Sequence, residues 1–156
     1  MRILFVCMGN ICRSPSAEAV LRHVAATEAP ELQLEIDSAG THEYHLGHPP
    51  DTRAVGAAQR RSIDMSGLRA RKLLREDFEH FDLVLVMDQQ NKQDALAIAP
   101  SGRRERVRLF LEFAPQLSHR EIPDPYYGNE IGFELVLDLV TEASRGLIAS
   151  IRSKQT

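Results

Sequence analysis

The sequence predicts an α/β fold: a single domain, spanning 1–156, with a four-stranded parallel sheet, helices on both faces and an open, doubly wound connectivity. Three observations carry this prediction. The runs RILFVC at residues 2–7 and FDLVLVMD at 81–88 have apolar cores rich in β-branched residues with no polar alternation, so they read as strands buried on both faces. Helical patterns separate the candidate strands, and a parallel return needs such a crossover. With 156 residues, 43% of them hydrophobic and 26% charged, the chain suits one domain with a substantial core.

Taken in order, the first strand runs into a loop that ends near Ser14 and Pro15, which suit an N-cap and a first helical position. Ala17, Val20, Leu21 and Val24 then repeat at helical spacing. LQLEIDSAG at 32–40 reads as a second strand, PPDTRAVGAAQRR at 49–61 as a helix after a proline stop, and REDFEHF at 75–81 as a short helix. The strand ending at Asp88 leads into a helix, DQQNKQDALAIA, that Pro100 stops. RVRLFLEF at 106–113 is the expected fourth strand. Phe133, Val136, Leu137, Val140, Leu147, Ile148 and Ile151 line one face of a long final helix.

The net charge is −3, with 19 Lys and Arg spread along the chain, which gives no electrostatic reason to expect nucleic acid or an anionic membrane as partner. The opening MRILFVC is too short for a signal-peptide core, and no apolar run is long enough to span a bilayer, so no membrane insertion and a cytoplasmic location are expected. A monomer or weak dimer is expected. Two cysteines make no disulfide framework, and a close pair in a reducing compartment points to catalysis, redox chemistry or metal binding.

Both cysteines lie in VCMGNICRS, which leaves the first strand at the sheet edge where ligands of such folds bind. Wrapped around an anion, residues 8–13 can converge their backbone N–H groups on one point, and the following helix adds its positive end. The loop would then be a phosphate cradle of Met8, Gly9, Asn10, Ile11, Cys12 and Ser14, with the Cys7 sulfur in reach of phosphorus. Arg13 supplies a planar fork that matches two phosphoryl oxygens, which a lysine does not. The same field favours the Cys7 thiolate. A free thiol is only about 3% ionised at pH 7, so ionisation alone gains at most roughly thirtyfold. Phosphate monoester hydrolysis needs far more, and the larger share falls to Arg13 and the amides gripping the transferring phosphoryl group. The departing oxygen needs a proton, and Asp124 in PDPYYGNE is the candidate acid: Pro125 holds it extended, while Tyr126 and Tyr127 would partly dehydrate it and wall the cleft.

VCMGNICRS, DSAGT at 37–41, GHPPD at 47–51, DFEHFDLVLVMD ending at Asp88 and DPYYG at 124–128 together resemble the low-molecular-weight protein tyrosine phosphatases over essentially the whole chain. The resemblance implies that Cys7 is the nucleophile forming a phosphocysteine, that Arg13 binds the phosphoryl group, and that Asp124 protonates the leaving oxygen and then activates water. It implies bracing roles behind the loop for Asn10, Ser14 and Ser38, and an aromatic cleft rim of Tyr44, Tyr126 and Tyr127. Ile11 stands where relatives acting on phosphoarginine carry threonine, which resembles the tyrosine-directed branch and a phosphotyrosine-containing protein substrate. No cofactor or metal is implied. Leu68 departs from the pattern, because relatives often place a loop-bracing histidine there; the bracing network and the tuning of Cys7 are left open.

Cys12 on the same curled loop is a redox partner candidate for Cys7: trapping a sulfenic acid as a disulfide would prevent over-oxidation. His42, His45 and His48 are spaced like metal ligands, but Gly47 and Pro49-Pro50 break helical alignment, so a cleft-side loop is expected instead. Arg69, Arg71 and Lys72 read as a solvated face. Two other functions compete. An arsenate reductase on the same scaffold would use downstream cysteines to resolve its thiol adduct, and this chain has none. A non-catalytic, flavodoxin-like phosphate- or flavin-binding module would not need Cys7, Arg13 and Asp124 together.

Overall fold

The computed structural model describes residues 1–155. Four strands, β1 (Arg2–Cys7), β2 (Glu35–Gly40), β3 (Leu83–Val86) and β4 (Val107–Leu109), form one all-parallel sheet in the order β2-β1-β3-β4. The helices are α1 (Arg13–Glu28), α2 (Thr52–Gln59), α3 (Asp77–His80), α4 (Gln89–Ile98) and α5 (Glu130–Gln155). This is the single-domain α/β arrangement expected from the sequence.

β1 has a neighbour on each side, and its alternating side chains feed two separate cores. Ile3, Phe5 and Cys7 face the core shared with α1, α2 and α5, whereas Leu4 and Val6 face the one shared with α3 and α4. That double burial is why the strand reads as an unbroken apolar run. Phe5 is fully buried, with its ring centroid 4.8 Å from that of Phe110. Cutting it to alanine would cost about 3–5 kcal/mol through the cavity left behind. The chain reverses its strand order around β1, so the crevice at the carboxyl ends of β1, β2 and β3 is the expected ligand edge.

Several element boundaries differ from expectation, and those of β2, β4 and α1 have a clear physical cause. β2 starts at Glu35 rather than Leu32: Arg2↔Glu35 is the first ladder pair, and Met1 meets the preceding stretch only through isolated bonds, to the Gln33 carbonyl and from the Glu35 N–H. β4 stops at Leu109, where its pairing with Val86 ends, and residues 110–113 curl into a 3₁₀ turn instead of extending the strand. Glu112 caps that turn by accepting the Leu109 N–H at 2.8 Å. α5 packs against the turn at backbone contact: a Cβ at Gly146 would lie 1.7 Å from the Phe113 carbonyl oxygen, so only glycine fits. Finally, α1 begins at Arg13 with Cys12 in the N-cap position, and Ser14 is inside its first turn rather than capping it.

Candidate active site

The loop between β1 and α1 curls around the Cys7 sulfur. Cys7 ends β1 beside Gly40 of β2, and its Sγ lies 3.3 Å from the donating Asn10 N–H and 3.0 Å from the Ser14 hydroxyl. No side chain caps α1, so the N–H groups of its first turn are available to an anion. A Cβ at Gly40 would lie 2.8 Å from the Met8 carbonyl oxygen, which explains the glycine at the end of β2: the loop presses against bare backbone there.

Asn10 is the hub of the loop. Its φ of 58° is left-handed, a conformation that Asn tolerates better than most residues. The Asn10 Oδ1 accepts the Arg71 backbone N–H at 3.0 Å, which settles which end of the amide is which. Its Nδ2 then donates to Ser14 Oγ at 2.8 Å and to Ser38 Oγ at 3.0 Å. Ser38 passes its one proton to Glu18 at 2.6 Å. Glu18 is buried and also paired with Arg22 at 2.6 Å. Burial raises the pKa of Glu18, while the Ser38 hydroxyl and Arg22 pull it back. The chain of contacts therefore runs from a buried carboxylate to the sulfur, and the Ser14 proton has two acceptors in reach, the Cys7 sulfur at 3.0 Å and the Ala39 carbonyl at 3.5 Å.

This network is complete without a histidine at position 68. Leu68 packs at the edge of the larger core, and the backbone N–H of Arg71 does the bracing. Of the three residues expected to form a solvated basic face, Arg69 and Lys72 are exposed, whereas the half-buried Arg71 side chain turns inward, donating to Asp37 at 3.2 Å and to both oxygens of Asp77 at 3.0 and 3.1 Å.

Arg13 is buried, and Nη1 is fully engaged, donating to Asp88 at 2.6 Å and to the Ile122 carbonyl at 2.9 Å. Burial opposes its charge, but Cys7, Asp88 and Asp124 outweigh it and raise its pKa, so the guanidinium stays protonated. Asp88 divides its two oxygens between Arg13 and the N-cap of α4, where Oδ1 accepts the Asn91 N–H at 2.7 Å. Nη2 of Arg13 lies 3.7 Å from Asp124 Oδ2. The other Asp124 oxygen accepts the Tyr126 N–H at 3.0 Å, an Asx turn that orients the carboxyl group. The Asp124 side chain is 34% exposed, so it is partly and not fully shielded from solvent.

Cys7, Arg13 and Asp124 line a single cavity of about 320 Å³ with Met8, Gly9, Ile11 and Cys12. Tyr44, Tyr126 and Tyr127 form its rim, with the last two rings edge to face at 4.9 Å. Asn10, Ser14 and Ser38 are buried and lie behind the cavity wall instead of in it, so Asn10 and Ser14 do not line the cavity with the other residues of the expected cradle. Cys12 is a buried thiol whose pKa is driven far above its ordinary value, by burial first and then by Asp51, Cys7 and Asp124. Both cysteines are free thiols.

Three residues escape the sequence reading. Glu18 and Asp88 carried a faint signal: Glu18 lies one helical turn after Ser14, and Asp88 ends a central strand. His45 lines the cavity, 6.0 Å between ring centroids from both Tyr126 and His48, while His42 stacks on Tyr44 at 5.3 Å. Among the described residues, no group of three His, Cys, Asp or Glu side chains is arranged to hold a metal ion. Arg53, the third missed residue, reaches from α2 to the loop after Asp124, donating to the carbonyls of Tyr126 at 2.8 Å and Gly128 at 3.1 Å.

Comparison with known proteins adds an independent line. The family model described as low molecular weight phosphotyrosine protein phosphatase matches residues 2–156. A Synechocystis chain that carries a low molecular weight protein-tyrosine-phosphatase name is 41% identical over 152 residues, covering 97% of this chain and 96% of that one. The human low molecular weight phosphotyrosine protein phosphatase is 38% identical over 148 residues, covering 94% and 92% respectively. The crystal structure of a protein tyrosine phosphatase from Entamoeba histolytica matches with a TM-score of 0.94 at 35% identity, covering 100% of this chain and 99% of that one.

Proposed function

The chain belongs to the low molecular weight phosphotyrosine protein phosphatase family, and from that premise we propose that it hydrolyses phosphotyrosine in proteins, and small aryl phosphates, through a phosphocysteine at Cys7. One observation carries the reading: the Cys7 sulfur, the Arg13 guanidinium and the Asp124 carboxyl group line the same cavity, with Asp124 3.7 Å from Arg13.

The Cys7 thiolate attacks phosphorus in line. As the S–P bond forms and the P–O bond breaks, Asp124 gives its proton to the departing phenolate oxygen. Arg13 and the loop amides hold the equatorial oxygens, whose charge grows in the transition state. Water then attacks the phosphocysteine, Asp124 takes its proton, and cleavage of the S–P bond returns the thiolate and releases phosphate. The Ser14 hydroxyl stabilises the sulfur anion at both ends of the cycle. Ile11 and the tyrosine rim offer an apolar slot for the phenyl ring.

Peroxide would convert the Cys7 thiolate to a sulfenic acid. The Cys12 thiol then displaces its oxygen as water, forming a Cys7–Cys12 disulfide that an external thiol reduces. A reducing compartment such as the cytoplasm suits a chain that works through free thiols.

The test is turnover of an aryl phosphate in excess EDTA, followed by acid quench of the Asp124→Asn variant. Activity should persist with chelator, vanish in Cys7→Ser, and leave phosphate on residue 7 in the quenched protein. Loss of wild-type activity with EDTA, full activity in Cys7→Ser, or absence of that adduct would each reject the mechanism.

A further inference from the structure

We propose that Arg53 is a positioning residue for proton transfer: its guanidinium fixes the loop that carries Asp124 and so places that carboxyl group at the leaving oxygen. The proposal rests on Asp124 being the general acid.

Arg53 lies in the first turn of α2 and is itself held from two sides. Asp51, the N-cap, accepts Nε at 3.1 Å and Nη2 at 3.0 Å, while the ring of Phe133 on α5 lies 4.7 Å from the guanidinium carbon. The remaining donors reach across to the acid loop, where Nη2 donates to the Tyr126 carbonyl and Nη1 to the Gly128 carbonyl. Among the described residues, these are the two hydrogen bonds that fasten residues 125–128 to another element; the others in this stretch are internal, Tyr126 N–H to Asp124 and Gly128 N–H to Pro125. Two bonds from one rigid plane fix both position and orientation.

The anchor also shares a frame with the nucleophile. The Asp51 backbone N–H donates to the Ile11 carbonyl at 2.8 Å, so the start of α2 is tied directly to the loop around Cys7. Asp51 and Arg53 thus form a bracket between the sulfur and the acid. A planar fork that meets a carboxylate along one edge, reaches two carbonyls and stacks on a ring is a task for arginine, and a lysine ammonium meets at most part of it. Arg53 is not among the residues that line the cavity.

A positioning role has a signature that general destabilisation lacks. Phenolate is a poor leaving group and needs the proton, whereas dinitrophenolate departs without one. We therefore expect Arg53→Lys to lower kcat/KM for phenyl phosphate by about 10- to 30-fold, part of the roughly 10²–10⁴ that a general acid supplies, and for dinitrophenyl phosphate by less than about twofold. Inhibition by inorganic phosphate should change by less than about twofold, which shows that the Cys7 loop is intact. Asp51→Asn, which keeps the cap and loosens the bracket, should show the same selectivity at smaller size and serves if Arg53→Lys does not fold. Equal losses on both substrates, or none, in a folded variant overturn the proposal, provided that Asp124→Asn is itself selective against phenyl phosphate. If Asp124→Asn shows no selectivity, the assignment of the acid fails instead, and the proposal falls with it.

Discussion

The loops at residues 8–13 and 124–128 line one cavity, yet the first is held by a buried network centred on its own Asn10 side chain and the second by an arginine that reaches in from another helix. Around Cys7, the Asn10 side chain, two serine hydroxyls and a buried glutamate close a network that uses every donor of one amide group. Past Asp124 the loop is shallow, Tyr127 is 92% exposed, and among the described residues the hydrogen bonds that fasten residues 125–128 to another element come from one arginine on another helix. The difference follows the chemistry. A transferring phosphoryl group needs donors that do not reorganise, so rigidity has value at the sulfur. On the proposed mechanism the acid touches only the leaving oxygen, so its loop can stay shallow as long as one anchor fixes where the carboxyl group sits.

The largest effect that tests this contrast belongs to Arg13. Arg13→Lys should cut kcat/KM by about 10³-fold, equally for phenyl and dinitrophenyl phosphate, because the loss is of phosphoryl binding rather than proton transfer. A loss that depended on the leaving group would blur the two loops into one device. Next comes Asn10. Asn10→Ala forfeits the network and puts alanine at φ 58°, with an expected loss of about 10² in kcat/KM and about 2–3 kcal/mol in urea-unfolding stability. Asn10→Gly relieves the backbone strain, so about 1 kcal/mol of stability should return while the rate does not. Recovery of both would mean that conformation alone braces the loop.

Smaller effects sharpen the comparison. Cys12 sits in the rigid wall with its thiol pKa raised by burial and nearby carboxylates, so it stays protonated throughout the neutral range. Iodoacetamide at neutral pH should therefore label Cys7 alone by mass spectrometry, and Cys7→Ser should take up almost nothing over the same minutes. Glu18 gives the smallest effect. Its folded pKa is raised, so the native state holds that proton more tightly than the unfolded chain; this contribution is complete below the unfolded value and is lost as pH rises through the folded one. Between about pH 4 and pH 7, the Tm of Glu18→Gln should therefore rise by a few degrees relative to the parent protein. A gap constant with pH would place the ionisation of Glu18 elsewhere.

Much of this was legible in the sequence, and the reasons for the rest are physical. Doubly buried strands announce themselves by composition, which is why β1 and β3 could be found. Boundaries set by a partner were hidden: β2 begins where β1 begins, and β4 ends where β3 runs out. The residues that touch the cavity sit on short motifs, so Cys7, Arg13 and Asp124 stood out together. Those that steer them act across the fold. Arg53 lies more than 70 residues from the carbonyls it holds, and nothing in its neighbourhood distinguishes it from a surface arginine. Ser14 misled for a related reason: its hydroxyl looks like a helix cap locally but is recruited by the sulfur.

Asp88 draws one more thread through the molecule. Because one of its oxygens steadies Arg13 and the other caps α4, the arginine's anion grip and the fraying of that helix share a single carboxyl group. An occupied cavity should be felt at the far side of the sheet, as slower amide hydrogen exchange in the opening turn of α4, so an isotope-labelled protein would report phosphate binding from residues that never meet the ligand.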